Sequence, residues 1–193
     1  MLVIKRDEYN NIFNKMNLSI ESKEKSIDVY HRNNWDRFTM NYDEETKNET
    51  PSYIDFFFNA KSMTTFIKEF WERENFKVCY IAPLYNDKYK LKFFDDDVCK
   101  DVYCELKRLL NSLGLKVNTS SAIQMSKEEL LIWIDRLSVG GFCGVSQYLI
   151  NIPELEMLII PYHHMNYLIY SNSKKELLTK INTDDSSDVL IQY

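Results

Sequence analysis

The chain has 193 residues with 24 basic and 29 acidic side chains, which gives a formal net charge of −5. This length is typical of one domain with a buried core, and the acidic balance argues against nucleic acid as a partner, because phosphates attract Lys and Arg. No apolar run approaches the ~18 residues of a membrane span, and residues 1–8 lack the apolar stretch of a signal peptide. We therefore expect a cytoplasmic protein that binds neither nucleic acid nor membranes.

The first quarter of the chain predicts a helix, a hairpin and a polar loop. Apolar residues at helical spacing indicate a helix over residues 5–17. Residues 26–32 and 35–40 each alternate apolar and polar side chains, which is typical of two paired strands with one face in solvent. Residues 41–52 contain almost no apolar side chain and several carboxylates, so they predict an acidic loop.

The strongest amphipathic pattern lies in residues 62–74, where apolar side chains recur at i, i+3, i+4, i+7 and i+8. It predicts a helix that faces the core, with Ser62 as its N-cap. Similar apolar stripes occur in two later helices. The core residues predicted from these stripes are Phe66, Phe70, Trp71, Leu106, Leu110 and Trp133.

A second hairpin and a second long helix follow. Residues 76–82 and 88–94 flank a turn-rich segment, and the latter run alternates Lys with apolar residues as a half-exposed strand does. Residues 95–113 carry apolar side chains at helical spacing, which predicts a helix. Gly114 follows it at the position where a helix-ending glycine is expected. A short strand is predicted over residues 115–118.

The C-terminal part begins with a capping box, in which Ser126 and Glu129 each satisfy a free backbone amide at the start of a helix. This helix is predicted to end near Leu137, before a glycine-rich loop at residues 139–144. Residues 155–171 predict a hairpin that turns at His163 and His164. A second capping-box pattern at residues 173–176 predicts the last helix.

Three hairpins interleaved with amphipathic helices are typical of a single α+β domain. We expect a mainly antiparallel, mixed sheet built from the hairpins and covered by the helices, within residues 1–182. Residues 183–193 are predicted to form an acidic C-terminal tail.

One candidate for catalysis is Cys143 with His163 or His164 as its base, since a thiol nucleophile needs a nearby imidazole and an open loop. The alternative is that Cys143 fills space beside a tight turn, as free cysteine packs like a small apolar residue. The cysteines Cys79, Cys99, Cys104 and Cys143 have no zinc or redox spacing, and we interpret them as reduced thiols. We therefore expect no catalytic residues.

Two patterns suggest a metal site. His163 and His164 are adjacent, but neighbouring side chains in a strand point to opposite faces and cannot easily share one ion. Asp95, Asp96 and Asp97 could hold a hard cation, yet acidic residues are also favoured at the start of a helix. Because no other ligand spacing and no glycine-rich phosphate loop occurs, we expect neither a metal nor a nucleotide cofactor.

The surface chemistry favours protein binding. The chain has 13 Tyr, 11 Phe and 3 Trp, and aromatic residues are enriched where proteins contact one another. Some of them are therefore expected to be exposed, and those in or beside polar, loop-rich stretches are Tyr42, Tyr53, Tyr85, Tyr162, Tyr167 and Tyr193. The alternative is that an AT-rich genome raises the content of Tyr, Asn, Lys and Ile without any functional reason. The best single candidate for a binding surface is the acidic loop, with Tyr42, Asp43, Glu44 and Glu45, which suits a basic partner.

In its layout the whole chain resembles the immunity proteins of bacterial toxin and immunity systems, including those of contact-dependent growth inhibition. The residues closest to a signature are the segment Ile152–Glu156, the hairpin after it and the helix that follows Ser173. The resemblance implies a protein that neutralises a cognate toxin, often a basic nuclease, by direct contact. The alternatives are a small enzyme that depends on Cys and His or on a metal, and a phage or mobile-element regulator that binds a host protein.

Overall fold

An eight-stranded sheet with helices on both faces forms the centre of the protein. The computed structural model describes residues 1–18, 20, 23–31, 53–84, 89, 91–93, 97–116, 119–162, 165–181 and 188–192. In these residues the elements are β1 (Leu2–Ile4), α1 (Arg6–Lys15), β2 (Ser26–His31), α2 (Tyr53–Arg73), β3 (Val78–Pro83), α3 (Asp97–Ser112), β4 (Ala122–Ser126), α4 (Lys127–Phe142), β5 (Tyr148–Ile152), β6 (Met157–Tyr162), β7 (Asn166–Ser171), α5 (Lys174–Ile181) and β8 (Val189–Gln192). Short 3-10 helices lie at Lys23–Lys25 and Pro153–Leu155.

The strands are arranged in the order β1-β4-β3-β5-β6-β7-β2-β8. Every strand pairing among the described residues is antiparallel. The fold is therefore a single α+β domain with an antiparallel sheet, as the sequence predicts. No helix in the described ranges combines the length and apolar composition that crossing a membrane requires.

The sheet divides the apolar interior into two cores. Helices α2, α3, α4 and α5 cover one face, where alternate residues of β5 such as Ile150 and Ile152 point. Helix α1 packs on the other face against Leu149 of β5 and Leu158 of β6. Because side chains alternate between faces and both faces are covered, β5 and β6 consist almost entirely of buried residues.

Most of the predicted core is confirmed. Phe70, Trp71, Leu106 and Leu110 are buried in the core on the face covered by four helices. Phe66 and Trp133, which belong to the same predicted set, are only partly buried at the edge of this core. Their helical stripes were identified correctly, but both side chains lie at the border of the buried face.

Several predicted elements are also confirmed. Helices α1 and α3 match the predicted segments 5–17 and 95–113, and Gly114 ends α3 with a φ of 69°. The β6–β7 hairpin matches residues 155–171. At the start of α4, the Glu129 amide donates to Ser126 Oγ at 3.2 Å and the Ser126 amide donates to Glu129 Oε2 at 2.9 Å. The capping box is therefore present as predicted.

Two predicted hairpins are wrong. Strand β2 pairs with β7 and β8, and residues 35–40, its predicted partner, lie outside the described residues. Strand β3 pairs with β4 and β5, whereas residues 91–93 contain no strand. An alternating pattern identifies a strand but not its neighbour. In this sheet, the neighbours of β2 come from the far end of the chain.

The ends of other elements differ from the sequence predictions. Ser62 is not an N-cap, because α2 already begins at Tyr53 and Ser62 lies inside it. The strand expected at residues 115–118 does not include residues 115 and 116, whereas residues 117 and 118 lie outside the described residues; the described strand in this part of the chain is β4, at Ala122–Ser126. Residues 183–193, assigned to a tail, contain strand β8, whose alternating Val189 and Ile191 pack on the core.

The predicted glycine-rich loop is the last turn of α4. A Cβ atom on Gly141 would lie 2.6 Å from the Cβ and carbonyl oxygen of Pro161 in β6. A Cβ atom on Gly140 would lie 2.9 Å from Leu106 Cδ1 in α3. The two glycines therefore permit close packing of α4 against the sheet and α3, and Gly144, with a φ of 69°, ends the segment.

Candidate functional site

The described surface contains an acidic groove at the end of the sheet where β6 begins and β7 ends. Its volume is about 240 Å³. The 3-10 helix Pro153–Leu155 and helix α5 form its walls together with the end of α2. The groove is lined by Glu74, Glu154, Leu155, Glu156, Met157, Ser171, Ser173, Glu176, Leu177 and Lys180.

The charged lining consists of four glutamates and one lysine, which gives a formal charge of −3. Lys180 Nζ donates to Glu74 Oε2 at 2.9 Å and lies 3.4 Å from Glu176 Oε1. The hydrogen bond to Glu74 is the main cause of the raised pKa of Lys180. Lys180 therefore neutralises mainly Glu74, and the other three carboxylates retain a net negative potential.

Local backbone geometry positions Glu154 and Glu156. Glu154 lies in the 3-10 helix, and its Oε1 accepts a hydrogen bond from the Lys77 backbone amide at 3.1 Å. Glu156 adopts a left-handed conformation with a φ of 47°, which ends that helix before β6. Its Oε2 accepts a hydrogen bond from Asn172 Nδ2 at 3.2 Å. Both side chains are exposed although they are anchored by these bonds.

The base of the groove is apolar. Met157, at the start of β6, and Leu177, in α5, are each 3% exposed. Leu155 is partly buried beside them. A charged rim around an apolar base suits a side chain with a long aliphatic stem and a cationic end, as in lysine or arginine.

The acidic character continues beyond the groove to Tyr80 on β3. Burial raises the pKa of the Tyr80 phenol, and the carboxylates of Glu8 and Glu154 raise it further. Tyr80 is only partly buried, so its ring belongs to the surface between α1 and the groove. The described surface thus combines carboxylates with a tyrosine, the same composition that the sequence predicts for a binding surface at residues 42–45.

The predicted binding residues Tyr42, Asp43, Glu44 and Glu45 lie outside the described residues. So do Tyr85 and Tyr193 and the side chain of Tyr53. Tyr162 is partly exposed. Tyr167 is not among the exposed tyrosines: its side chain is fully buried and donates from its hydroxyl to Ser138 Oγ at 2.6 Å.

The residues considered for catalysis and metal binding are only partly described. Cys143 follows the last turn of α4 and is partly buried, whereas His163, His164, Asp95 and Asp96 lie outside the described residues. Within the described ranges, His, Cys, Asp and Glu form no group of three or more that could hold a metal ion. Burial raises the pKa of the Cys79 thiol to about 12, so this cysteine stays protonated at neutral pH.

Most of the groove could not be found from the sequence. Glu74, Glu154 and Glu176 come from three segments that are 80 and 22 positions apart, and only the fold brings them together. The one local signal is the segment Ile152–Glu156, where two glutamates flank an apolar residue directly before the predicted hairpin.

Comparisons of the chain with models of known protein families, with curated proteins and with solved structures found no match.

Proposed function

We propose that the protein binds a basic segment of a partner protein in the acidic groove, and that by this contact it acts as an immunity protein for a cognate toxin. The observation that supports the proposal is the arrangement of Glu154, Glu156 and Glu176 around an apolar base, with Lys180 as the one cation in the described lining of the groove. Opposite charges on two partners speed their encounter and disfavour wrong partners. A toxin domain of the basic, nuclease type has the charge that this groove would attract.

The dimensions of the groove favour a protein side chain over a cofactor. Sites for small-molecule ligands usually have volumes of roughly 300 to 1,000 Å³, and this groove, at about 240 Å³, is smaller. One Lys or Arg side chain could place its stem against Leu155 and Leu177 and its cationic group near the carboxylates. The rest of the partner would then lie across the surrounding surface, including Tyr80 and Glu8.

The first test removes charge from the groove without changing its shape. In Glu154→Gln/Glu176→Gln, each glutamine retains an oxygen that can accept a hydrogen bond. The matched control is Asp101→Asn/Glu105→Gln, which removes two negative charges from α3. Partners are isolated by co-purification from the native operon, and association rates are measured over a range of salt concentrations.

We expect the groove variant to associate several-fold more slowly and with a weaker dependence on salt, while the control behaves like the native protein. Equal rates for the groove variant and the control would contradict the assignment of the groove. A toxin domain encoded beside this chain would support the immunity function, whereas capture of a host protein would support a mobile-element regulator. If no protein co-purifies, the binding function itself is wrong.

The acidic loop predicted from the sequence is a second part of the proposed surface. In Glu44→Lys/Glu45→Lys, reversed charges should slow association with the same partner, because charges at the rim of an interface act chiefly on the encounter rate. Combining this change with the groove variant separates the two segments. If the loop variant associates at the native rate at every salt concentration, the loop does not take part in binding.

A further inference from the structure

A cation of the protein itself already lies in the acidic groove. Lys180 of α5 places its Nζ 2.9 Å from Glu74 Oε2 and 3.4 Å from Glu176 Oε1. The Glu74 side chain is 12% exposed, whereas those of Lys180 and Glu176 are 40% and 66% exposed. The position of Nζ therefore marks a place in the groove where a positive charge meets two carboxylates, one of them largely buried.

The two partners of this ion pair differ in how easily they can leave it. Glu74 directly follows α2, and its carboxylate lies largely buried in the wall of the groove. Lys180 reaches it through a flexible four-carbon stem from near the end of an eight-residue helix. Exposed ion pairs favour their closed form only by a factor of about 1.5 to 5. Lys180 can therefore move into solvent at little cost while the carboxylate stays in the groove.

A guanidinium group fits this place better than the ammonium group of Lys180. A guanidinium is planar and has five N–H donors, so it can make two parallel bonds to one carboxylate and still donate to a second. Glu74 and Glu176 present two carboxylates to one cation. The buried Leu177 beside them offers an apolar contact for the aliphatic stem of an arginine. A lysine of the partner would only exchange one ammonium group for another.

We propose that Lys180 is an internal substitute for the partner, and that an arginine of the partner displaces Lys180 Nζ from Glu74 and Glu176 when it enters the groove. This inference rests on the proposed function, because the arginine belongs to the basic segment that the groove binds. In the free protein, Lys180 reduces the affinity of the groove for other cations, since the ion pair must open first. Only a side chain that makes more bonds than lysine gains from the exchange.

An ion pair with a purely structural role predicts the opposite effect of removing Lys180. If Lys180 only ties α5 to the end of α2, its loss would loosen the groove and weaken binding. If Lys180 competes with the ligand, its loss strengthens binding, and the weakness of exposed ion pairs limits the gain to roughly two- to sixfold. The sign of the change therefore separates the two roles.

Binding of a short arginine peptide, Gly-Arg-Gly with blocked ends, tests the proposal without the natural partner. NMR titration gives the dissociation constant from the shifts of amides that line the groove. The variant is Lys180→Met, which keeps an aliphatic stem but cannot pair with Glu74. The matched control is Lys175→Met, which removes the same charge from an exposed position of the same helix and does not line the groove.

We expect Lys180→Met to bind the arginine peptide roughly two- to sixfold more tightly than the native protein does. The control should bind it with nearly native affinity, because its charge acts on the groove only through solvent. If Lys180→Met does not fold, Lys180→Gln replaces it, since glutamine removes the charge but retains a donor for Glu74. The same direction of change is expected.

Two further measurements identify the carboxylate and the ligand. Glu74→Gln should weaken binding of the arginine peptide, and in combination with Lys180→Met it should abolish the gain, because the two side chains act on the same cation. Gly-Lys-Gly should bind the native protein less tightly than Gly-Arg-Gly, since an ammonium group cannot make paired bonds to a carboxylate. Equal or tighter binding of the lysine peptide would overturn the assignment of arginine.

Unchanged or weaker binding by Lys180→Met would overturn the proposal, as would an equal gain in the control. The groove is judged separately by Glu154→Gln/Glu176→Gln. If this variant loses the peptide while Lys180→Met gains nothing, the groove binds cations and only the role of Lys180 is wrong. If the peptide shifts no groove amide in any of the proteins, both the role of Lys180 and the proposed function of the groove are wrong.

Discussion

At the scale of single residues, close packing explains why glycine occurs twice in the last turn of α4. The nearest atoms to a Cβ on Gly141 belong to Pro161, including its carbonyl oxygen at 2.6 Å, and a strand in the middle of the sheet cannot shift easily. The nearest atom to a Cβ on Gly140 is the end of the Leu106 side chain, which can change its rotamer. The two positions therefore differ in how they tolerate a larger residue.

We expect Gly141→Ala to lower the free energy of unfolding by about 1 to 3 kcal/mol, the usual cost of overpacking. Gly140→Ala should cost clearly less, since a side-chain movement relieves the contact and alanine favours the helix. Urea denaturation of both variants measures the difference. A Gly141→Ala protein as stable as the native one would show that α4 can move away from Pro161.

His31, at the end of β2, gives the protein a predictable response to pH. It is 3% exposed, and burial lowers its pKa below the ordinary value of 6.5, although the carboxylate of Asp188 opposes this shift. Between the lowered pKa and 6.5 the unfolded chain binds a proton that the folded protein does not. Stability from the neutral His31 is therefore complete above pH 6.5 and decreases as the pH falls toward the pKa of the folded state.

Denaturation of the native protein and of His31→Gln at a series of pH values isolates this contribution. We expect the native protein to lose more stability than the variant when the pH falls from about 7 to 5, because only the native chain gains the His31 proton on unfolding. Carboxylates affect both proteins alike and cancel in the comparison. A stability difference that is constant over this range would show that His31 titrates equally in both states.

At the scale of elements, the start of α4 is the clearest case in which sequence determines local structure. The Ser126 and Glu129 side chains satisfy each other's backbone amides, as their spacing predicts. We expect Ser126→Ala to cost about 1 kcal/mol of stability, as is usual for an N-cap. The matched control is Ser112→Ala at the end of α3, where the hydroxyl donates to the Leu109 carbonyl oxygen and caps no amide. Equal losses for the two variants would contradict the importance of the capping box.

The elements that the sequence revealed are those whose signal is local. The apolar stripe of α3 and the capping box of α4 depend on residues within one or a few turns. Strand β5 gave no such signal, because it is buried on both faces and lacks the alternation of a half-exposed strand. For β2 the alternation of apolar and polar residues predicts a strand correctly, but its partners β7 and β8 lie more than a hundred positions away.

For the candidate site, too, the sequence gives only what does not depend on long-range contacts. Composition predicts a binding surface of carboxylates with tyrosine, but it does not predict where on the fold that surface lies. Glu74 directly follows α2, Glu154 follows β5 and Glu176 lies in the first turn of α5, and nothing local relates these residues to one another. Charge balance is a property of the whole sequence, but a groove is a property of the fold.

At the scale of the whole molecule, the order of the strands has a consequence for biosynthesis. Strand β2 lies between β7 and β8, so Ser26–His31 pair with residues that lie more than 130 positions later in the sequence. A ribosome adding roughly 5 to 20 residues per second exposes β2 for several seconds before those partners exist. Pairing of β2 must therefore wait until β7 and β8 have been synthesised, and such long-range pairing is slow. During that interval the residues of β2 that are buried in the folded protein, such as Ile27 and Val29, are not covered by their sheet partners.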